Sequence, residues 1–276
     1  HQLIYYLSFL VIPFVFVLLY LTHKNFKIKP KSYKIVLIIL WILSILYTYA
    51  RFIEPNMIIT RQTSIETWYK SKIVVISDMH IWVFYKPNFL KKLVKKINEI
   101  PWVDYVLIAW DFSYYPKGDL VKLFAPLKNL KYKSFWVLWN HDSQKPGPAI
   151  AKELQKALEE NNVVFLNNDY VKYNWTYILW LWDNWAGKDD ISLIKNFKKE
   201  DKLVVIAHNP DSVLDYENDI ADLTVSGHTH GWQIRIPLIY KKVIPSRYVR
   251  TWVWFPFDRG FYNVENKKVF VSSGLW

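Results

Sequence analysis

Cysteine is absent from the 276-residue chain, and glycine is scarce. Without cysteine the chain can form no disulfide, thiolate metal site, iron–sulfur cluster or cysteine nucleophile. Any metal ion must therefore be held by nitrogen and oxygen ligands. Glycine occurs 7 times, whereas the usual share of about 7% would give roughly 19 in a chain of this length. Tryptophan occurs 15 times, and the two counts together are close to the ordinary number of glycines.

Formal charge is missing from the first 23 residues, and residues 3–21 form an apolar run long enough to cross a bilayer as a helix. A second uncharged segment covers Ile35–Ala50, and the flanking Lys34 and Arg51 can reach toward the interfaces. We predict two transmembrane helices. The alternatives are a buried core helix and a cleaved signal peptide, although no basic residue precedes the first run as it would in a signal peptide.

The loop between the two apolar segments carries five lysines: Lys24, Lys27, Lys29, Lys31 and Lys34. Short lysine-rich loops stay in the cytoplasm, so the rest of the chain is predicted to lie outside the cytoplasm at the cell membrane. We predict a membrane anchor over residues 1–56, a linker over 57–71 and a globular domain over 72–276.

The formal net charge is +12. Residues 1–56 contribute +5 of it, from five lysines and one arginine against one glutamate, and the remaining +7 belongs to residues 57–276. That excess favours a phosphate-bearing substrate or an anionic lipid surface, with a simply solvated lysine-rich exterior as the alternative. No arginine-rich recognition helix or aromatic RNA-binding motif is present, so no nucleic-acid partner is expected.

Short apolar runs alternate with amphipathic stretches after Asn56. Five runs are predicted to be buried strands: Lys72–Ser77, Val103–Ala109, Ser134–Leu138, Leu203–Ala207 and Leu223–Ser226. Helical periodicity covers Lys86–Glu99 and Pro148–Glu160. The segments Tyr170–Leu181 and Gly260–Ser272 add antiparallel character, so the pattern predicts an α/β domain.

A polar cluster follows each of these five strands. The candidate side chains are Asp78 and His80, Asp111, Asn140 with His141 and Asp142, His208, and His228 with His230. Ligand sites in α/β sheets collect at the carboxyl ends of strands, so these side chains are expected to converge. One such cluster would be an ordinary turn, but the ordered set predicts a metal site. Asp, Asn and His suit Mn, Fe or Zn better than Ca or Mg.

The ordered clusters resemble the calcineurin-like metallophosphoesterase superfamily, whose pattern is D-x-H, G-D, G-N-H-D/E, H and G-H-x-H. The later stretch H-T-H-G-x-Q-I-R-I-P and the apolar front resemble the bacterial branch of membrane-associated phosphodiesterases. The resemblance spans residue 72 to the C-terminus. It implies a four-layer sandwich of two mixed β-sheets flanked by helices, with two metal ions at the strand ends.

The resemblance also assigns seven metal ligands, three to each ion and one bridging them: Asp78, His80 and His230; Asn140, His208 and His228; and Asp111. It implies two divalent ions, with Mn favoured over Fe and Zn. Such a pair clamps both oxygens of an in-line displacement and generates a metal-bound hydroxide as nucleophile. His141 would stabilise the transition state or protonate the leaving oxygen, and Asp142 would orient His141.

Tryptophan stands at four positions where the family motifs have glycine: Trp82, Trp110, Trp139 and Trp232. Glycine is used where the backbone turns sharply or approaches a ligand, so an indole there would disrupt the site. The two codons differ by one base, and some bacteria read UGA as glycine. We therefore hypothesise that most of these tryptophans are glycine in the native host.

The predicted function is hydrolysis of phosphoester bonds by a metal-dependent phosphodiesterase or phosphatase, with a substrate that is lipid-linked or in the cell envelope. A lipid-linked nucleotide-sugar pyrophosphatase is the alternative with the same chemistry, and the membrane anchor favours it. A membrane-bound, metal-binding pseudoenzyme is the alternative from another class, and it is favoured if the four tryptophans are real.

Overall fold

The computed structural model describes residues 6–79, 87–109, 116, 118–137, 149–166, 168–181, 190–216, 220–229 and 257–275. The chain divides by its internal contacts into two units, His1–Ile59 and Thr60–Trp276.

Two apolar helices make up most of the first unit. Helix α1 spans Val11–Asn25 after a 3-10 turn at Ser8–Leu10, and helix α2 spans Lys31–Thr48 before a π-helical turn at Tyr49–Ile53. By length and composition both helical segments could cross a membrane. An N-terminal signal sequence meets the same criteria of length and composition. This agrees with the two predicted apolar spans.

Side-chain hydrogen bonds join the two helices within this unit. Trp41 Nε1 donates to Thr22 Oγ1 at 3.0 Å, and Arg51 Nε donates to Ser8 Oγ at 2.8 Å. Most of the large apolar side chains on both helices are exposed. A helix that is apolar on all sides is typical of a membrane span.

The first sheet of the second unit has four strands in the order β1-β2-β3-β4: Ile73–Ser77, Tyr105–Ala109, Ser134–Val137 and Val163–Leu166. Its three pairings are parallel. Parallel strands need crossovers, which include helices α3 (Pro87–Asn98), α4 (Leu120–Phe124) and α5 (Ala151–Glu159).

Helix α3 shows why these segments fold as they do. Its buried side chains recur at helical spacing, namely Phe89, Leu90, Leu93, Val94 and Ile97. Helix α4 is capped by Asp119, whose carboxylate accepts from the backbone amides of Val121 and Lys122 at 2.9 and 3.2 Å.

The second sheet has six strands in the order β5-β6-β7-β8-β10-β9: Asp169–Tyr173, Thr176–Leu181, Leu203–Ala207, Leu223–Ser226, Gly260–Val264 and Lys267–Val271 for β5 to β10. Strands β6, β7, β8 and β10 are parallel, and an antiparallel hairpin closes each edge. The second sheet is therefore mixed.

The two sheets face each other with their strand ends aligned. Near the amino ends, the rings of Tyr105 and Tyr173 are 6.2 Å apart, and at the carboxyl ends Ser77 Oγ donates to Ser272 Oγ at 2.6 Å. The predicted α/β class, with two sheets flanked by helices, is confirmed. The five predicted strands and the antiparallel character of Tyr170–Leu181 and Gly260–Ser272 are also confirmed, and within the described residues the strand ends shift by at most two residues.

Candidate metal centre

Three of the seven predicted metal ligands lie in the described part of the chain, and all three lie at the carboxyl ends of parallel strands. Asp78 follows β1, His208 follows β7, and His228 lies two residues after β8. The remaining predicted ligands and the two predicted catalytic residues lie outside the described residues: His80, Asp111, Asn140, His230, His141 and Asp142. The same holds for Trp82, Trp110, Trp139 and Trp232.

His208 and His228 point ring nitrogens at each other. His208 Nε2 lies 2.6 Å from His228 Nδ1, and the ring planes are inclined at 73°. One of these nitrogens donates and the other accepts, according to the tautomers. Two imidazole nitrogens on one metal ion, each about 2.0–2.1 Å from it, would be about 3 Å apart. The pair is therefore already close to the separation that a shared ion requires.

Asp78 brings a carboxylate to this edge in an interior position. The residue is fully buried, and its amide donates to the Ala109 carbonyl at 3.2 Å, one strand away. A buried carboxylate is stable only when a cation or hydrogen-bond donors compensate it. Divalent ions provide that compensation in metal sites.

Both ligand turns use unusual backbone geometry. Asp78 has φ of 51° and His228 has φ of 69°, in the left-handed region that few residues other than glycine adopt. Such conformations cluster at functional sites, where the surrounding structure holds them.

Hydrogen bonds tie the histidine loops to each other. The Gly227 amide donates to the His208 carbonyl at 3.1 Å, and the Thr229 amide donates to the Gly227 carbonyl at 2.7 Å. The Thr229 hydroxyl donates to the backbone carbonyl of Asp258. The histidine pair is therefore held by backbone contacts from β7, β8 and the C-terminal segment.

Asp258 is in turn held by Tyr262. The tyrosine hydroxyl donates to the Asp258 carboxylate, and the Asp258 amide donates to the tyrosine oxygen at 3.0 Å. Burial, followed by the adjacent carboxylate, raises the pKa of Tyr262 to about 12. The hydroxyl therefore stays protonated at neutral pH and remains a donor to Asp258.

Sequence reasoning missed several polar residues that surround these ligands. Asn209, Asp211 and Ser212 are buried just after His208, and Ser77 and Ser226 are buried at the ends of β1 and β8. Their only signal in the sequence is their position beside the ligand motifs. Buried polar residues beside metal ligands commonly orient them.

The donors present fit a divalent transition metal. Two imidazoles and a carboxylate are nitrogen and oxygen ligands of the kind that Mn, Fe and Zn accept. Within the described residues, no group of three or more His, Asp or Glu side chains is close enough to form a complete site. The described part thus holds two imidazoles in contact and a separate buried carboxylate.

Comparisons with known proteins point to one family. The calcineurin-like phosphoesterase family matches residues 71–232. An uncharacterised metallophosphoesterase of Campylobacter jejuni is 30% identical over 213 residues, which cover 74% of this chain and 53% of the relative. This chain therefore spans about half the length of that relative.

Two further relatives are bacterial as well. YkuE, an uncharacterised metallophosphoesterase of Bacillus subtilis, is 27% identical over 247 residues, which cover 83% of this chain and 82% of YkuE. The phosphodiesterase YaeI of Escherichia coli is 45% identical over 49 residues, which cover 17% of this chain and 18% of YaeI. With its fold and its strand-end histidines and aspartate, the chain belongs to the calcineurin-like phosphoesterase family.

Proposed function

We propose that this chain is a membrane-anchored phosphodiesterase or phosphatase that works with two divalent metal ions. Family membership gives the general class, which is metal-dependent hydrolysis of phosphoesters. One observation carries the assignment of the site: the ring nitrogens of His208 and His228 lie 2.6 Å apart. Asp78 lies at the same edge of the facing sheet.

In the proposed site, one ion would be held by Asp78, His80 and His230, and the other by Asn140, His208 and His228. Asp111 would be shared by both ions. When bound, two divalent ions, preferably Mn, supply Lewis acidity to the phosphoryl group and lower the pKa of a water molecule. His141 would stabilise the transition state or protonate the leaving oxygen, and Asp142 would orient His141. The His208–His228 contact and the buried Asp78 carboxylate support this proposal.

The proposal also places the enzyme at the cell membrane. Residues 1–56 serve as anchor, 57–71 as linker and 72–276 as catalytic domain, which faces away from the cytoplasm. The two apolar helices and the five lysines between them support this arrangement. The substrate is then a phosphoester that is lipid-linked or in the cell envelope.

Two alternatives have observations in their favour. The apolar helices favour a pyrophosphatase for lipid-linked nucleotide sugars, since such substrates reside in the bilayer. Tryptophans at Trp82, Trp110, Trp139 and Trp232 favour a pseudoenzyme that binds metal without turnover.

Replacing Asp78 tests the proposed site directly. Asp78→Asn should lower hydrolysis of an aryl phosphodiester in the presence of Mn²⁺ by about 100-fold or more, because one metal ligand loses its charge. The change should be made in two versions of the full chain, one with the four tryptophans and one with glycine at their positions.

Asp169→Asn is the matched control, because Asp169 is exposed in β5 and belongs to no proposed ligand set. It should leave hydrolysis unchanged. Full activity in the Asp78 variant would contradict the proposed site. Hydrolysis by the four-glycine chain alone would favour recoding, and metal binding without hydrolysis in both chains would favour the pseudoenzyme.

A further inference from the structure

The C-terminal hairpin, residues 257–274, lies beyond the end of the family match at residue 232. It contains β9 and β10, and β10 pairs with β8, the strand that leads to His228. Two of its residues, Ser272 and Asp258, make hydrogen bonds to the strand ends and loops that carry the candidate ligands. This hairpin therefore contacts the site without contributing a predicted ligand to it.

Ser272 makes three hydrogen bonds at the carboxyl ends of the strands. Ser77 Oγ donates to its hydroxyl at 2.6 Å, and the Gly274 amide donates to the same oxygen at 3.2 Å. The Ser272 amide donates to the Ser226 carbonyl at 2.7 Å. Ser77 and Ser226 are both buried, so water competes little for these bonds.

These bonds join the two sheets next to the candidate ligands. Ser77 is the last residue of β1 and immediately precedes Asp78. Ser226 is the last residue of β8 and lies two residues before His228. In the proposed site Asp78 and His228 belong to different ions, so Ser272 connects the backbone that carries one ligand with the backbone that carries the other.

A second contact of the same hairpin fixes the histidine loop from its other side. The Thr229 hydroxyl donates to the Asp258 carbonyl, and Tyr262 holds the Asp258 carboxylate. Asp78 and His228 have backbone conformations that persist only where the surroundings determine them. The hairpin provides contacts of this kind at both ligands.

We propose that the C-terminal hairpin forms part of the frame of the metal centre, with Ser272 as the positioning residue that sets Asp78 against His228. Ser272 touches neither metal nor substrate in this role. Hydrogen bonds behind the ligands typically change metal affinity by about 10- to 100-fold when they are removed. The proposal rests on the proposed function, because it concerns the ligands of that site.

Ser272→Ala, made in the full chain with glycine in place of Trp82, Trp110, Trp139 and Trp232, tests this role through metal binding. It should weaken Mn²⁺ binding, measured by titration calorimetry, by about tenfold, because the ends of β1 and β8 lose their connection. Ser272→Thr keeps the hydroxyl and should restore the affinity. An Ala variant that binds Mn²⁺ like the parent would overturn the proposal.

Ser134→Ala is the matched control for a merely structural effect. Ser134 is a buried serine whose hydroxyl, like that of the partly buried Ser272, makes a hydrogen bond. It donates to the Tyr132 carbonyl at 3.1 Å, but Ser134 lies at the amino end of β3. It should lower the melting temperature about as much as Ser272→Ala and leave Mn²⁺ affinity unchanged. Equal losses of Mn²⁺ affinity in both variants would show that Ser272 contributes only to stability and would overturn its positioning role.

Hydrogen exchange in the metal-free chain separates this inference from the proposed function. Ser272→Ala should speed amide exchange at residues 77–79 and 226–229, whereas Ser134→Ala should not. A parent chain that takes up no Mn²⁺ would contradict the proposed function. Unchanged exchange at these residues would overturn the hairpin's role whatever the parent binds.

Discussion

Trp102 has a backbone conformation that suits glycine better than tryptophan. Its φ is 60°, and its side chain is 88% exposed, so little packing compensates for the strain. The hypothesis of recoded glycine thus extends to a position outside the metal motifs.

Replacing Trp102 tests this reading of the backbone. Trp102→Gly should raise the stability of the full chain by about 1 kcal/mol, seen as a higher melting temperature, because glycine adopts positive φ without strain. Trp102→Ala is the control, since it removes the indole but keeps the Cβ. Equal melting temperatures for the Gly and Ala variants would contradict the strain argument. Peptide masses from the native host should show glycine at this position.

At the scale of strands and helices, the sequence was sufficient to predict those elements on which burial imposes a simple pattern. Buried parallel strands are continuous apolar runs, so β7 and β8 were predicted with the bounds that the structure has. The pairing of β8 with β10 was not predictable in this way, because it depends on contacts between segments far apart in the chain.

The same distinction applies to the candidate site, where some residues could be assigned from the sequence and others could not. Asp78, His208 and His228 stand in motifs that carry a family resemblance, so they could be assigned from the sequence. Ser272 belongs to no motif, and its importance follows only from the contact with Ser77, 195 positions away. Hydrogen bonds between sheets leave no periodic signal in the chain.

Asp222 shows how a strand start responds to pH. Its carboxylate accepts the Leu203 amide at 2.9 Å, joining the starts of β7 and β8. Burial raises the pKa of this carboxyl, and the bond to Leu203 partly offsets the rise. The folded chain therefore binds the proton more tightly than the unfolded chain does. The free energy of unfolding should fall as pH rises from the ordinary carboxyl range through the raised pKa.

Asp222→Asn removes this titration while keeping an acceptor for Leu203. The variant should lose less stability than the parent between about pH 4 and pH 7, measured by thermal melting across that range. Parallel stability curves for the two proteins would show that the Asp222 carboxyl does not contribute to the pH dependence.

At the scale of the whole phosphoesterase unit, the carboxyl and amino ends of the strands carry different features. The candidate metal centre lies at the carboxyl ends of the strands, whereas residues 66–72 enter at the amino ends. The Lys72 amide donates to Asp104 at 2.6 Å, and Lys268 Nζ donates to the Glu66 carbonyl. Lys202 Nζ lies 5.3 Å from the ring centre of Trp68. The segment that follows the apolar helices is thus fixed opposite the site.

A reporter fused after Asn56 tests the membrane orientation. The five lysines between the apolar segments should keep their loop in the cytoplasm, so the reporter should be active outside it. Both a reporter that requires export and one that requires the cytoplasm should be compared at this position. Activity of the cytoplasmic reporter would reverse the orientation and place the substrate on the inner side of the membrane.

The metal content of the purified full chain, with glycine in place of Trp82, Trp110, Trp139 and Trp232, tests the central claim most directly. The chain should be loaded with Mn²⁺, separated from free metal and analysed beside Asp111→Asn, because Asp111 is the proposed bridge between the two ions. We predict two ions per parent chain and a loss of both in the variant, since each ion shares that carboxylate. A parent without bound metal, or a variant that retains both ions, would contradict the two-metal account.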